Sequence, residues 1–131
     1  MADNERREFY RVEVVAPVRF RLIEEKTAKP LTDWVHGTTA DIGLGGVKML
    51  ASMTKTQAEM LVDKYVSIEL SFQLPGTPTV VEATGAIAYF MLLAAASKSS
   101  TVSFGVSFVS IDSNAEDVIG GFIRQRVDAH A

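Results

Sequence analysis

From residue 11 to residue 22, apolar and polar positions alternate. Val12, Val14, Ala16, Val18, Phe20 and Leu22 fall on one side, and Arg11, Glu13, Arg19 and Arg21 on the other. Period-two alternation rich in β-branched residues predicts a half-buried strand. Pro17 lies inside it, and proline donates nothing to a ladder, so an edge or a bulge is expected there. Residues 24–30 are charged and end in Pro30, which reads as a turn. A second strand is expected over residues 34–42. Gly43, Gly45 and Gly46 break it, and an apolar run resumes over residues 47–50, giving two strands joined by a glycine-rich turn. Val66, Ile68, Leu70, Phe72 and Leu74 alternate again, and Pro75, Gly76 and Pro78 mark the turn that follows. Residues 80–90 read as a strand whose composition predicts burial on both faces. A polar turn over residues 98–101 leads to a last strand, in which Val102, Phe104, Val106 and Phe108 alternate with Ser103, Gly105 and Ser107.

The period changes in two places. Thr54 and Gln57 have capping-box spacing, with Ala58, Leu61 and Val62 following at helical intervals, so a short helix is expected there. Ser113 and Glu116 repeat that spacing ahead of Ala115, Val118, Ile119, Phe122, Ile123 and Val127, which predicts an amphipathic helix over about 114–128. Gly120 and Gly121 each cost that helix about 1 kcal/mol relative to alanine, so it is expected to lean on the sheet. Strands with short turns and one terminal helix make an all-β chain: a small antiparallel barrel closed by a helix. The 131 residues suffice for one core. The expected division is a flexible arginine-bearing leader over residues 1–11 and one domain over 12–131.

Composition narrows the chemistry. There is no cysteine, which removes disulfides, thiolate catalysis and cysteine metal sites. The net charge of −3 argues against coating DNA. The first residues lack the apolar core of a signal peptide. The longest apolar run, Ala86 to Ala96, is too short to span a bilayer as a helix. These features suit a cytoplasmic protein without membrane insertion. His36 and His130 stand in no metal-ligand spacing, no phosphate loop or nucleophile elbow occurs, and the acids Asp112, Glu116 and Asp117 fit a helix start. No nucleophile and base pair emerges, so a non-catalytic protein without a cofactor is expected.

Two segments carry a functional signal. Arg6, Arg7, Arg11, Arg19 and Arg21 are five of the thirteen basic residues, all within residues 5–21. Arginine's planar fork suits phosphate oxygens and the Hoogsteen edge of guanine. Taken alone, this leader reads first as a solvated basic segment. The second segment is Asp41 to Gly46. A strand-end aspartate can accept paired N–H bonds from guanine, and the glycines let backbone amides approach a ligand. Taken alone, it reads first as a tight turn with glycine supplying the backbone freedom.

In this order and spacing, the Arg7-x-x-x-Arg11 leader, a strand, and Asp41-x-Gly43-x-x-Gly46 about thirty residues later resemble the PilZ domain, a family of bacterial receptors for cyclic di-GMP. Residues 85–90 and 104–108 resemble its last two strands. The resemblance implies a six-stranded antiparallel barrel with a C-terminal helix and room for one short helix. It also implies a cytoplasmic second-messenger receptor that passes its signal to an effector protein, here unidentified. It assigns Arg7 and Arg11 to the phosphates and guanine edges, with Arg6 as an additional arginine. Asp41 corresponds to the acid that bonds a guanine and Gly46 to the closing glycine. Tyr89 stands where some relatives place an aromatic or basic residue against the ligand. Gly43 replaces the motif serine and removes one polar contact, about 0.5–1.5 kcal/mol. That departure leaves open an alternative: a degenerate PilZ-like interaction module that no longer binds the nucleotide, with Met91 to Ala96 as either a contact surface or core.

Overall fold

The computed structural model describes residues 11–63, 65–96 and 98–129. Its strands are β1 (Val12–Glu13), β2 (Pro17–Glu24), β3 (Val35–Ile42), β4 (Gly46–Met53), β5 (Val66–Gln73), β6 (Val80–Ala95) and β7 (Ser100–Ile111). The helices are α1 (Lys55–Met60), between β4 and β5, and α2 (Ser113–Ala129), at the end. Every pairing is antiparallel, and β2, β3, β4, β7, β6 and β5 close in that order, because β5 returns to β2 and β3 pairs with both β2 and β4. The result is the expected six-stranded barrel with a terminal helix and one short helix. Closure removes most of the edge that an open sheet would expose.

The alternation read from the sequence becomes the inside and outside of this barrel. Val18, Phe20 and Leu22 of β2 are buried, as are Ile68, Leu70 and Phe72 of β5 and Val102, Phe104 and Val106 of β7. Phe20 and Phe104 meet across the interior edge to face at 5.2 Å, a preferred aromatic arrangement. The expected interruption near Pro17 is a gap between β1 and β2, both of which pair with β3. The Thr39 hydroxyl bridges the gap, accepting from the Ala16 N–H at 2.9 Å and donating to the Val14 carbonyl.

The Thr54 capping box forms in both directions, at 3.0 and 3.1 Å. The second cap differs from expectation. Asp112, not Ser113, caps α2: its carboxylate accepts from the Ala115 N–H at 2.7 Å. β7 ends at Ile111, which puts Asp112 at the cap position, and the helix starts at Ser113. Ala115, Ile119, Phe122 and Ile123 turn inward, so α2 leans on the barrel as its glycines require.

The expectation for residues 80–90 needs correction. Only Val81, Ala83 and Gly85 of β6 are buried, and the strand runs on to Ala95 with both faces exposed. The reason is topological. β5 pairs with β6 only as far as Ser67 and Ala86, and beyond that point β6 keeps β7 as its strand neighbour among the described residues.

Candidate functional site

Asp41 would point into the barrel if β3 kept strict alternation, because Val35 and Thr39 do so. A bulge prevents this. Thr39 pairs with Met49 but Asp41 pairs with Lys48, which leaves Ala40 as an extra residue. The bulge shifts the phase of β3 by one, turning Asp41 outward and Ile42 inward. A second bulge does the same on β6. Ile87 pairs with Val106 but Tyr89 pairs with Gly105, so Ala88 is the extra residue and Tyr89 faces out.

The two bulges bring distant residues into one line. Asp41 is opposite Lys48, Lys48 is opposite Gly105, and Gly105 is opposite Tyr89. This outward row crosses three interstrand spacings, about 14 Å of sheet. Gly105 leaves room for its neighbour: a Cβ there would collide with the Tyr89 ring, which therefore lies across the glycine. At the other end of the row, Arg11 Nε donates to Asp41 Oδ1 at 2.6 Å, across 30 residues of sequence. The pair is partly solvated, with side-chain exposures of 41% and 25%.

The glycine loop sits beside this row. Gly43 is buried, and its N–H donates to the Gly46 carbonyl at 2.9 Å. Neither Gly43 nor Gly45 adopts positive φ, so the turn does not need glycine for its backbone conformation. Gly46 has a different reason to be glycine. A Cβ there would run into the Val106 carbonyl on β7, so the barrel itself demands the residue whether or not a ligand is present. Leu44, at the turn's tip, packs toward α2, with its Cδ2 at 3.6 Å from where a Gly120 Cβ would be.

The structure thus brings together Arg11, Asp41, Gly43, Gly46 and Tyr89 on or beside one face. Arg6 and Arg7 lie outside the described residues. Sequence reading missed Lys48, which stands between Asp41 and Tyr89. Its only signal was outward position between the buried Val47 and Met49. It also missed a mixed-charge hollow elsewhere on the barrel. A cavity of about 360 Å³ is lined by Arg19, Trp34, Glu69, Ser71, Glu82 and Asp112, among others. There the Trp34 ring has Arg19 at 4.4 Å and Arg21 at 4.6 Å, and Arg21 also pairs with Glu69 at 3.3 Å. Glu82 and Asp112 make that hollow a poor match for a phosphodiester, and none of the expected site residues lines it. Among the described residues, no group of three or more histidines, cysteines or acids is arranged to hold a metal ion, and no helix is long and apolar enough to cross a membrane.

The family model of the PilZ domain matches residues 5–125. No curated protein matches the chain. Among solved structures, the barrel is similar to the Bacillus subtilis inhibitor of motility MotI/DgrA, with a TM-score of 0.62 at 13% identity over 88% of this chain and 48% of that one. It is similar to the Borreliella burgdorferi PlzA protein in complex with c-di-GMP, at TM-score 0.59 and 8% identity over 98% of this chain and 55% of that one. It is also similar to the PilZ domain with c-di-GMP of YcgR from Escherichia coli, at TM-score 0.60 and 12% identity over 92% of this chain and 90% of that one. The chain therefore spans about half the length of the first two and nearly all of the third.

Proposed function

The chain belongs to the PilZ domain family, and from that premise we propose that it is a non-catalytic receptor for cyclic di-GMP. The observation that supports this most directly is the 2.6 Å contact between Arg11 and Asp41, which closes the distance between the two motif segments. Arg11 uses Nε in that contact, which leaves its terminal nitrogens to donate to phosphate or to a guanine Hoogsteen edge. Asp41 has a second oxygen for guanine N–H donors. Lys48 adds positive charge beside them, and the Tyr89 ring offers a stacking surface for a base, worth about 1–3 kcal/mol in such contacts. The reading assigns Arg6 and Arg7 to the phosphates and guanine edges of the ligand, with Gly43 and Gly46 in the loop beside Asp41. Ligand binding would order the leader against the barrel and create a new surface for an effector protein in the bacterial cytoplasm. The roles of partner and location follow from this reading.

The test is a calorimetric titration of the folded protein with cyclic di-GMP. The expected result is saturable binding that weakens as salt rises, because the ligand carries two phosphates. A folded protein that gives no saturable heat at tens of micromolar ligand refutes the reading. Gly43, which lacks the motif hydroxyl, favours a second reading: an interaction module that has lost the nucleotide. Partner capture indifferent to added cyclic di-GMP would support it.

A further inference from the structure

We infer that residues 88–95 of β6 form a self-association edge, through which two copies of this chain pair strand to strand. Past Ala86 the strand loses β5 and keeps β7 alone. Among the described residues, its other edge therefore presents unpaired backbone N–H and C=O groups. Natural edges of this kind are usually guarded by lysine, proline or brevity. This one carries none of them: the eleven residues from Ala86 to Ala96 include no charge and no proline. Tyr89, Phe90, Met91, Leu92 and Leu93 are between 41% and 60% exposed. They occupy both faces, with Tyr89 and Met91 opposite Gly105 and Ser103, and Phe90 and Leu92 opposite Phe104 and Val102.

A second copy is the occupant that matches this surface. The chain carries a net charge of −3, yet this strand is neutral, so two copies meet here without like charges in contact. Antiparallel pairing of identical strands about a twofold axis is self-complementary and closed. Centred on Met91, it sets Phe90 against Leu92 of the second copy, so apolar side chains face apolar side chains about the axis. Bulges at Ala88 and Leu93 bound the in-register part of the edge to residues 89–92. At about 200 Å² per large side chain, the exposed halves of these five residues offer on the order of 500 Å² per copy. Complete burial of these side chains in two copies reaches at most about 1,000 Å², the lower bound for a specific interface, with backbone hydrogen bonds added. The pairing is therefore a concentration-dependent dimer rather than a permanent one.

The experiment is light scattering coupled to size exclusion, from about 1 to about 200 µM protein, on the wild type and on Met91→Lys. The wild type is expected to approach twice the chain mass of 14.2 kDa as concentration rises. Met91→Lys, with unchanged circular dichroism and melting temperature, is expected to dissociate at least about a hundredfold more readily. Because the chain has no cysteine, Met91→Cys supplies a second readout that survives any misfolding of the lysine variant. Mild oxidation should trap a covalent dimer, since cross-strand neighbours of this kind lie within disulfide reach. A wild type that stays at the monomer mass throughout overturns the inference, including one that instead sediments with phosphatidylcholine vesicles. So does a dimer indifferent to Met91→Lys, or a Met91→Cys protein that fails to cross-link.

Discussion

Replacing Thr39 with valine keeps the volume and the β-branch but removes the hydroxyl that bridges the β1–β2 gap. Thr39 is 1% exposed, and its neighbours Val14 and Ala16 are also buried. The substitution therefore strands the Ala16 N–H and the Val14 carbonyl away from water. Each loses a hydrogen bond worth about 1 kcal/mol net, and each unsatisfied group adds a desolvation cost of about 1–3 kcal/mol, partly relieved by local relaxation. The expected loss is about 2–4 kcal/mol, or roughly 10 °C in melting temperature for a domain of this size. Urea unfolding followed by the fluorescence of Trp34, the single tryptophan, measures it, with the denaturant slope unchanged. Thr39→Ser is the control: it keeps the hydroxyl, loses one methyl group and should cost about 1 kcal/mol. A Thr39→Val protein within about 0.5 kcal/mol of wild type would refute the assignment of the hydroxyl as the bridge. The same variant loosens the segment that delivers Arg11 to Asp41, so cyclic di-GMP affinity should fall with it.

Gly121 has open space where a Cβ would stand, so Gly121→Ala should stabilise α2 by about 0.5–1 kcal/mol, read as a higher urea midpoint. Gly46→Ala drives a methyl group into the Val106 carbonyl and should destabilise the barrel by about 1–3 kcal/mol, measured by the same unfolding curve without any ligand. In the calorimetric titration, Arg7→Ala and Arg11→Ala should each weaken binding at least about tenfold. Gly43→Ser, which restores the motif hydroxyl at a position free of positive φ, should strengthen it about three- to tenfold. The opposite ranking would remove the arginines from the site.

Much of the barrel was legible in advance because burial and alternation are two views of one constraint. A strand with one face in a core must place apolar residues at every second position, and β2, β5 and β7 do so without interruption over their central residues. The helices announced themselves by the change of period. The errors came where local chemistry left a tie. Asp112 and Ser113 are both good caps, and only the end of β7 at Ile111 decides that the first of them is used. The apolar composition of residues 86–95 is the same for a strand in the core and a strand on an edge. Its exposure depends on where β5 stops, which is a property of another part of the chain.

The candidate site divides the same way. The amino-acid sequence by itself determined the residue types, the spacing of Arg7, Arg11, Asp41 and Gly46, and the membership in a family. Only the tertiary structure decided which side chains share a face. Period-two counting would have sent Asp41 and Tyr89 inward, and single extra residues at Ala40 and Ala88 reverse both. Bulges of this kind depend on how two strands pair, so they leave no mark in either strand read alone. Their consequence is the row that joins Arg11, Asp41, Lys48 and Tyr89 across β3, β4, β7 and β6.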